Sequence, residues 1–247
     1  MSFDVVSMRL SDFKNPLDAF FWLGSYAGHY QLPSDTPQVF ESNTEESAIS
    51  KELSLCEIAD FAVFDTETSG LSSTDCAVQT AVGFFDSDGK ALGFYDKLWK
   101  LPPGKKIGYG AFKIHKISEK KVEAHGYRAA PELRKLKHMF STMKKRKKMI
   151  VSHNASFDTR ILLQTAKQNG VDWTLTKDDV FCTMKQSKVF CGLKSISTGR
   201  DKCPTNAELY KVLTGEEPTC ALHDAKADIT VTARSYHEGR KRGWWRS

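Results

Sequence analysis

No apolar run in the 247-residue sequence is long enough to span a bilayer. A membrane-spanning helix is therefore not expected. The first residues lack a basic stretch followed by an apolar one, so no secretory signal is expected, and the acidic residues there argue against a mitochondrial presequence. The six cysteines (Cys56, Cys76, Cys182, Cys191, Cys203, Cys220) include no Cys-x-x-Cys pair. A zinc site from Cys182, Cys191, Cys203 and Cys220 would lack the paired spacing such sites use. Reduced thiols in an intracellular protein are the plainer account. No internal repeat is visible. Basic residues are scarce at the start, where residues 1–60 carry three Lys or Arg against ten Asp or Glu, a net of −7.

What is present is a basic body. The residues after 60 carry 33 Lys or Arg and 20 Asp or Glu, a net of +13. That excess suits a polyanion such as nucleic acid, although a soluble domain can be basic without one. The overall 40% apolar and 27% charged content is that of a globular protein. An extension over residues 1–57 precedes the body. It holds an aromatic cluster, Phe20, Phe21, Trp22, Leu23, Tyr26 and Tyr30, expected to dock on the body rather than stay exposed. Its acidic, polar stretch 34–52 reads as a linker.

From about residue 60 the pattern becomes α/β. Residues 60–66 read as a buried strand, and 78–86 with 91–100 as a hairpin around Asp-Ser-Asp-Gly. Helices are expected over 131–148, 157–169, 206–213 and 224–240, with strands at 149–152 and 180–183 and a loop at 192–205. Asn154 or Ser156 is placed to cap the second of these helices. The order implies a mixed central sheet of about five strands flanked by helices, spanning residues 58–242, with a tail at 243–247. The run Lys144–Lys148 suits a helix C-terminus, and also a phosphate-contacting or nuclear-localisation patch. The expected location is therefore intracellular, cytoplasm or nucleus.

The chemistry starts at Phe61–Leu71. An apolar run stops at two carboxylates, Asp65 and Glu67. On a strand, residues two apart share a face, so the pair projects side by side, where like charges repel. A cation between them would relieve that repulsion. Asp158 falls in the first turn of the helix after the 149–152 strand, at the carboxyl edge where open α/β sheets bind ligands. His223 and Asp228 are five residues apart, roughly 140° around a helix. They cannot share a helical face, so His223 is expected at or before the helix start. Four carboxylates with hard oxygens would select Mg²⁺ or Mn²⁺, and a histidine with a pKa near 6.5 suits a general base. Each residue alone has a plain structural reading, Asp158 as a helix-terminal charge, His223 and Asp228 as surface groups.

Together these stretches resemble a known family. Asp-Thr-Glu-Thr-Ser-Gly-Leu (65–71), His-Asn-Ala-Ser-Phe-Asp (153–158) and His-Asp-Ala-Lys-Ala-Asp (223–228) are similar to the three motifs of the DEDDh, DnaQ-like 3′→5′ exonucleases, a ribonuclease H-like group. The order matches, with about ninety and about seventy residues between motifs. Two weaker stretches agree, Phe112–Ser118 and Asn206–Gly215. The resemblance implies two Mg²⁺ (or Mn²⁺) ions. Asp65 would bridge both, Glu67 and Asp228 would complete the first site, Asp158 would serve the second, and His223 would be the base. Thr66 and Thr68–Leu71 (Thr68, Ser69, Gly70, Leu71) would seat the terminal nucleotide, Leu71 as a wedge. His153, Asn154 and Phe157 would shape the pocket floor, with capping and core packing as the equal alternative.

The implied activity is release of nucleoside 5′-monophosphates from 3′ ends, preferably of single-stranded DNA. An exoribonuclease, or a non-catalytic nucleic-acid-binding module on a nuclease fold, are the alternatives. A polymerase or repair protein would be a separate partner, and pairing as a homodimer is open.

Overall fold

The computed structural model describes residues 51–219 and 224–245. The aromatic cluster at 20–30, the linker up to residue 50, Cys220 and His223 lie outside the described residues. A helical stretch over residues 51–58 leads into β1 (Phe61–Thr68), β2 (Ala77–Phe85) and β3 (Ala91–Leu98). Then come α1 (Tyr109–His115), α2 (Glu119–His125), α3 (Ala129–Lys145), β4 (Met149–Ser152) and α4 (Ala155–Gln168). The remaining elements are β5 (Phe181–Cys182), α5 (Thr183–Cys191), α6 (Asn206–Thr214) and α7 (Ala225–Lys241).

The sheet order is β3-β2-β1-β4-β5. β1 runs antiparallel to β2 and parallel to β4, and β4 runs parallel to β5. The carboxyl ends of β1 and β4 are therefore adjacent at one edge of the sheet, the place where such sheets leave a crevice.

The period of two along β1 sorts its side chains between two cores. Ala62 and Phe64 join Leu133, Leu136, Phe140, Ile161 and Leu162 on the α3 and α4 side. Phe61 and Val63 join Leu209, Ile229, Ala233 and Tyr236 on the α6 and α7 side. Leu55 and Cys56 of the 51–58 helix are buried in the first cluster. Trp245, in the expected tail, is buried in the second, stacked on Tyr236 and edge-on to Phe181. Cys56, Cys76, Cys182, Cys191 and Cys203 are free thiols. Among the described residues, no helix is long and apolar enough to cross a membrane.

Several element expectations need correction. α3 starts at Ala129 and stops at Lys145, because Lys147 turns into the left-handed region at φ 56°. The basic run is an exposed helix end, with Lys144 and Lys145 in the last turn of α3 and Arg146 at its C-cap, and it also makes surface ion pairs. Lys144 pairs with Asp179, Arg146 with Glu57 and Lys148 with Asp60. The helical stretch at 51–58, whose first residues fall within the expected linker, and the short helices α1, α2 and α5 are additions to the expected set.

Candidate active site

Asp65 and Glu67 continue the face of β1 that carries Phe61 and Val63, so both point toward α7. The last of the three expected metal-binding stretches supplies Asp228 from the first turn of α7. One carboxylate oxygen from each of Asp65, Glu67 and Asp228 lies within 4.8 Å of the others. The N-terminus of α7 favours negative charge nearby. Asp224 fills the N-cap there, accepting from the backbone N–H groups of Lys226 and Ala227.

Asp158 stands on the other side of β1. Thr66 lies on the opposite face from Asp65, and its backbone N–H and hydroxyl both donate to Asp158 Oδ1, at 3.2 and 2.8 Å. Ser152, at the end of β4, donates to Asp158 Oδ2 at 2.7 Å. Asp158 is thus buried and braced from two strands. It is close enough to raise the pKa of Asp65 and Glu67 by charge repulsion, although it is not one of the three convergent carboxylates.

Burial holds the Asp65 carboxyl well above the usual carboxylate range, and Asp158, Asp228 and Glu67 push it further. Glu67, 9% exposed, is pushed up to about 8 by burial and then by Asp228 and Asp158. Asp158 rises to about 6, because burial outweighs the hydrogen bonds from Ser152 and Thr66. Among the described residues, what acts on Asp65 and Glu67 is burial and the neighbouring carboxylates. A set of hard oxygen donors in that condition fits a divalent cation.

The stretch after the carboxylates is braced internally. Thr68 donates its hydroxyl to the Gly70 carbonyl at 2.8 Å, and Ser69 donates to Asp75 Oδ1 at 2.9 Å. A Cβ on Gly70 would sit 2.5 Å from the Asp75 carboxylate, so a side chain there would have to displace the group that braces this loop. Leu71 is 77% exposed. His115, at the end of α1, bonds the Thr68 carbonyl through Nε2 at 3.0 Å and accepts the Ile117 N–H at Nδ1. A carbonyl only accepts, so Nε2 carries the proton and the ring is neutral. Burial accordingly holds its pKa below the ordinary histidine value.

His153 is placed within the protein rather than toward the carboxylates. Its Nε2 faces the Pro204 carbonyl at 3.1 Å and Nδ1 faces the Thr183 hydroxyl at 3.0 Å. Burial lowers its pKa to about 4. Asn154 occupies the N-cap of α4 without a side-chain capping bond, contrary to the capping expected of Asn154 or Ser156. Phe157 is half-buried against the α3 and α4 core, with the Arg160 guanidinium 5.3 Å from its ring.

Sequence reasoning passed over three braces: Ser152, Asn206 and His115. Asn206 opens α6, where Thr205 and Glu208 form a reciprocal capping box. Its amide donates to the Asp228 carbonyl at 3.2 Å, and its Oδ1 accepts from Thr232 at 3.2 Å. α6 and α7 are thereby locked beside the carboxylates.

Residues 62–236 match the RNase_T family model, described as "Exonuclease". Among solved structures, exonuclease I is similar at 21% identity and a TM-score of 0.61, over 75% of this chain and 41% of that one. E. coli exonuclease I in complex with a dA16 oligonucleotide gives 19% identity and a TM-score of 0.60, over 75% and 41%. The nuclease domain of 3′hExo, a DEDDh family member, bound to rAMP, gives 11% identity and a TM-score of 0.58, over 75% and 94%. At these identities the likeness carries the fold, and the chain spans less than half the length of exonuclease I. No curated protein matches the chain.

Proposed function

The chain belongs to the DEDDh-type exonuclease family, with its ribonuclease H-like fold, and on that basis we propose that it is a metal-dependent 3′→5′ exonuclease of single-stranded DNA. The observation that carries the reading is the convergence of Asp65, Glu67 and Asp228 within 4.8 Å, at the carboxyl end of β1. Two divalent cations, Mg²⁺ or Mn²⁺, would be held by Asp65 with Glu67 and Asp228, and by Asp65 with Asp158. When bound they supply Lewis acidity to water and to the phosphoryl oxygens.

The remaining work belongs to the chain. Thr66 and Ser152 keep Asp158 in one orientation. His223 immediately precedes Asp224, the N-cap of α7. It takes the proton of the attacking water as general base. The bond broken joins phosphorus to the 3′-oxygen of the preceding nucleotide, which leaves a nucleoside 5′-monophosphate and a strand one residue shorter. The backbone of Thr68–Leu71 seats the terminal nucleotide, and exposed Leu71 packs against its base.

The test uses 5′-labelled and 3′-labelled strands of one sequence, as DNA and as RNA, with Mg²⁺, with Mn²⁺ and with chelator. A ladder shrinking from the 3′ end, dependent on metal and abolished by Asp65→Ala, is expected. Binding without mononucleotide release, or faster loss of RNA than DNA, would overturn the reading or its substrate class.

A further inference from the structure

Away from the carboxylates, a groove of about 1020 Å³ runs along the outer face of α4. Its walls come from Arg160 and Lys167 of α4, Lys177 of the segment before β5, and Lys185 of α5. Asp178 is the one acid lining it among the described residues. None of those four cations pairs with a carboxylate among the described residues, whereas Lys144, Arg146, Lys148, Lys194, Lys202 and Lys211 all do. A concave surface that gathers four positive charges around one acid is a built complement to a polyanion.

Its position ties it to the site. The same first turn of α4 that holds Asp158 inward contributes Ala155 and Ser156 to the groove. Ser73, two residues after Leu71, also lines it. The groove shares Ser73, Gln164 and Lys167 with a second hollow of about 720 Å³ that reaches Lys105. α4 is 14 residues, about 21 Å, so the surface is long enough for several nucleotides. Gln164 donates to the Ser72 carbonyl at 3.0 Å and Gln168 to the Thr74 carbonyl at 3.0 Å. The loop that carries Leu71 is thereby fixed to this helix.

We propose that the groove over α4 is the track for the strand upstream of the terminal nucleotide, a sequence-independent site for single-stranded nucleic acid whose phosphates meet Arg160, Lys167, Lys177 and Lys185. This rests on the exonuclease reading for its direction, but the binding surface stands on its own charges.

The experiment compares the full chain with the triple variant Lys167→Gln, Lys177→Gln, Lys185→Gln. A second triple variant, Lys90→Gln, Lys120→Gln, Lys121→Gln, is matched in charge and lies outside the groove. Anisotropy of a labelled 20-nucleotide single strand is read in chelator, so that no turnover is needed. Mononucleotide release from the same strand and from a dinucleotide is read with Mg²⁺. The groove variant should bind the long strand about tenfold or more weakly, and the slope of log affinity against log salt should fall by about 2. Its rate on the dinucleotide should stay unchanged, and the control should behave as wild type. Equal losses in both variants, or unchanged binding in the groove variant, would overturn the track. Loss of binding without any wild-type nucleotide release would keep the track and sink the exonuclease reading instead.

Discussion

Thr66 and Asp158 are 92 residues apart in the chain and joined twice, by a backbone N–H at 3.2 Å and a hydroxyl at 2.8 Å on the same carboxylate oxygen. Thr66 lies between Asp65 and Glu67, so this pair clamps the middle of the candidate metal-binding stretch from behind. Thr66→Val keeps the β-branched shape and removes only the hydroxyl. A hydrogen bond to a buried charged group is worth about 1.5–3 kcal/mol, so the variant should lose that much in urea unfolding at neutral pH. Asp158 should also ionise less readily, and half-maximal mononucleotide release should need more Mg²⁺. An unchanged Mg²⁺ requirement would mean that Asp158 acts on the fold alone.

The clustered carboxylates set a pH dependence of stability with a definite sign. Asp65, Glu67 and Asp158 all have folded-state pKa values above their unfolded ones. Between the two values the folded state holds protons that the unfolded state has released, so stability falls as pH rises. In chelator, this contribution should be lost from the ordinary carboxylate range up through about pH 8. Millimolar Mg²⁺ should raise the melting temperature little near pH 5 and by several degrees near pH 8. Asp65→Asn removes one of the repelling charges. It should melt higher than wild type in chelator at the upper pH, and its Mg²⁺ response should largely vanish. A pH-independent Mg²⁺ effect would place the cation elsewhere.

Lys116 caps α1 in the left-handed region at φ 59°, a conformation that costs an L-residue about 1 kcal/mol or more. Lys116→Gly should therefore stabilise the protein by a fraction of that, after the added entropy of the unfolded glycine. His115 beside it would keep its bond to Thr68, so turnover should not change. Denaturant midpoints and initial rates on one oligonucleotide check both halves.

The sequence exposes the site where chemistry follows local periodicity. Asp65 and Glu67 are legible because an apolar strand ends on them at a spacing of two, and Asp158 because it opens a helix after another apolar strand. The braces are not legible. Ser152, Asn206 and His115 act through partners fixed only when β4, α6 and α1 meet the rest of the sheet. The missed helices share a different cause. α1 buries only His115, α2 only Val122, and α5 only Thr183 and Ser187, so none shows an apolar period to read. Thr66, Thr68, Ser69 and His153, expected at the substrate, have their side chains engaged by Asp158, Gly70, Asp75, and Thr183 with Pro204. A motif marks where residues gather without saying which of them face inward.

His153 gives a test of that distinction. The Pro204 carbonyl can only accept, so Nε2 carries a proton, and burial, which disfavours a second one, leaves Nδ1 to accept from the Thr183 hydroxyl. The ring is held neutral, with its pKa lowered to about 4 by burial. For a base with a depressed folded pKa, stability is fully present above the unfolded value near 6.5 and is lost as pH falls toward the folded one. At about pH 5 the loss from this group should approach 2 kcal/mol. His153→Gln cannot titrate. It should be less stable than wild type at about pH 7.5, by roughly 1–3 kcal/mol for the broken buried bonds. Its stability should then fall less steeply on acidification, so the two curves converge near pH 5. Urea unfolding across that range, with chelator present so that the carboxylates contribute equally to both proteins, reads the difference. Parallel curves would show that His153 is not held as a buried neutral brace, and would return it to the residues available for phosphate contact.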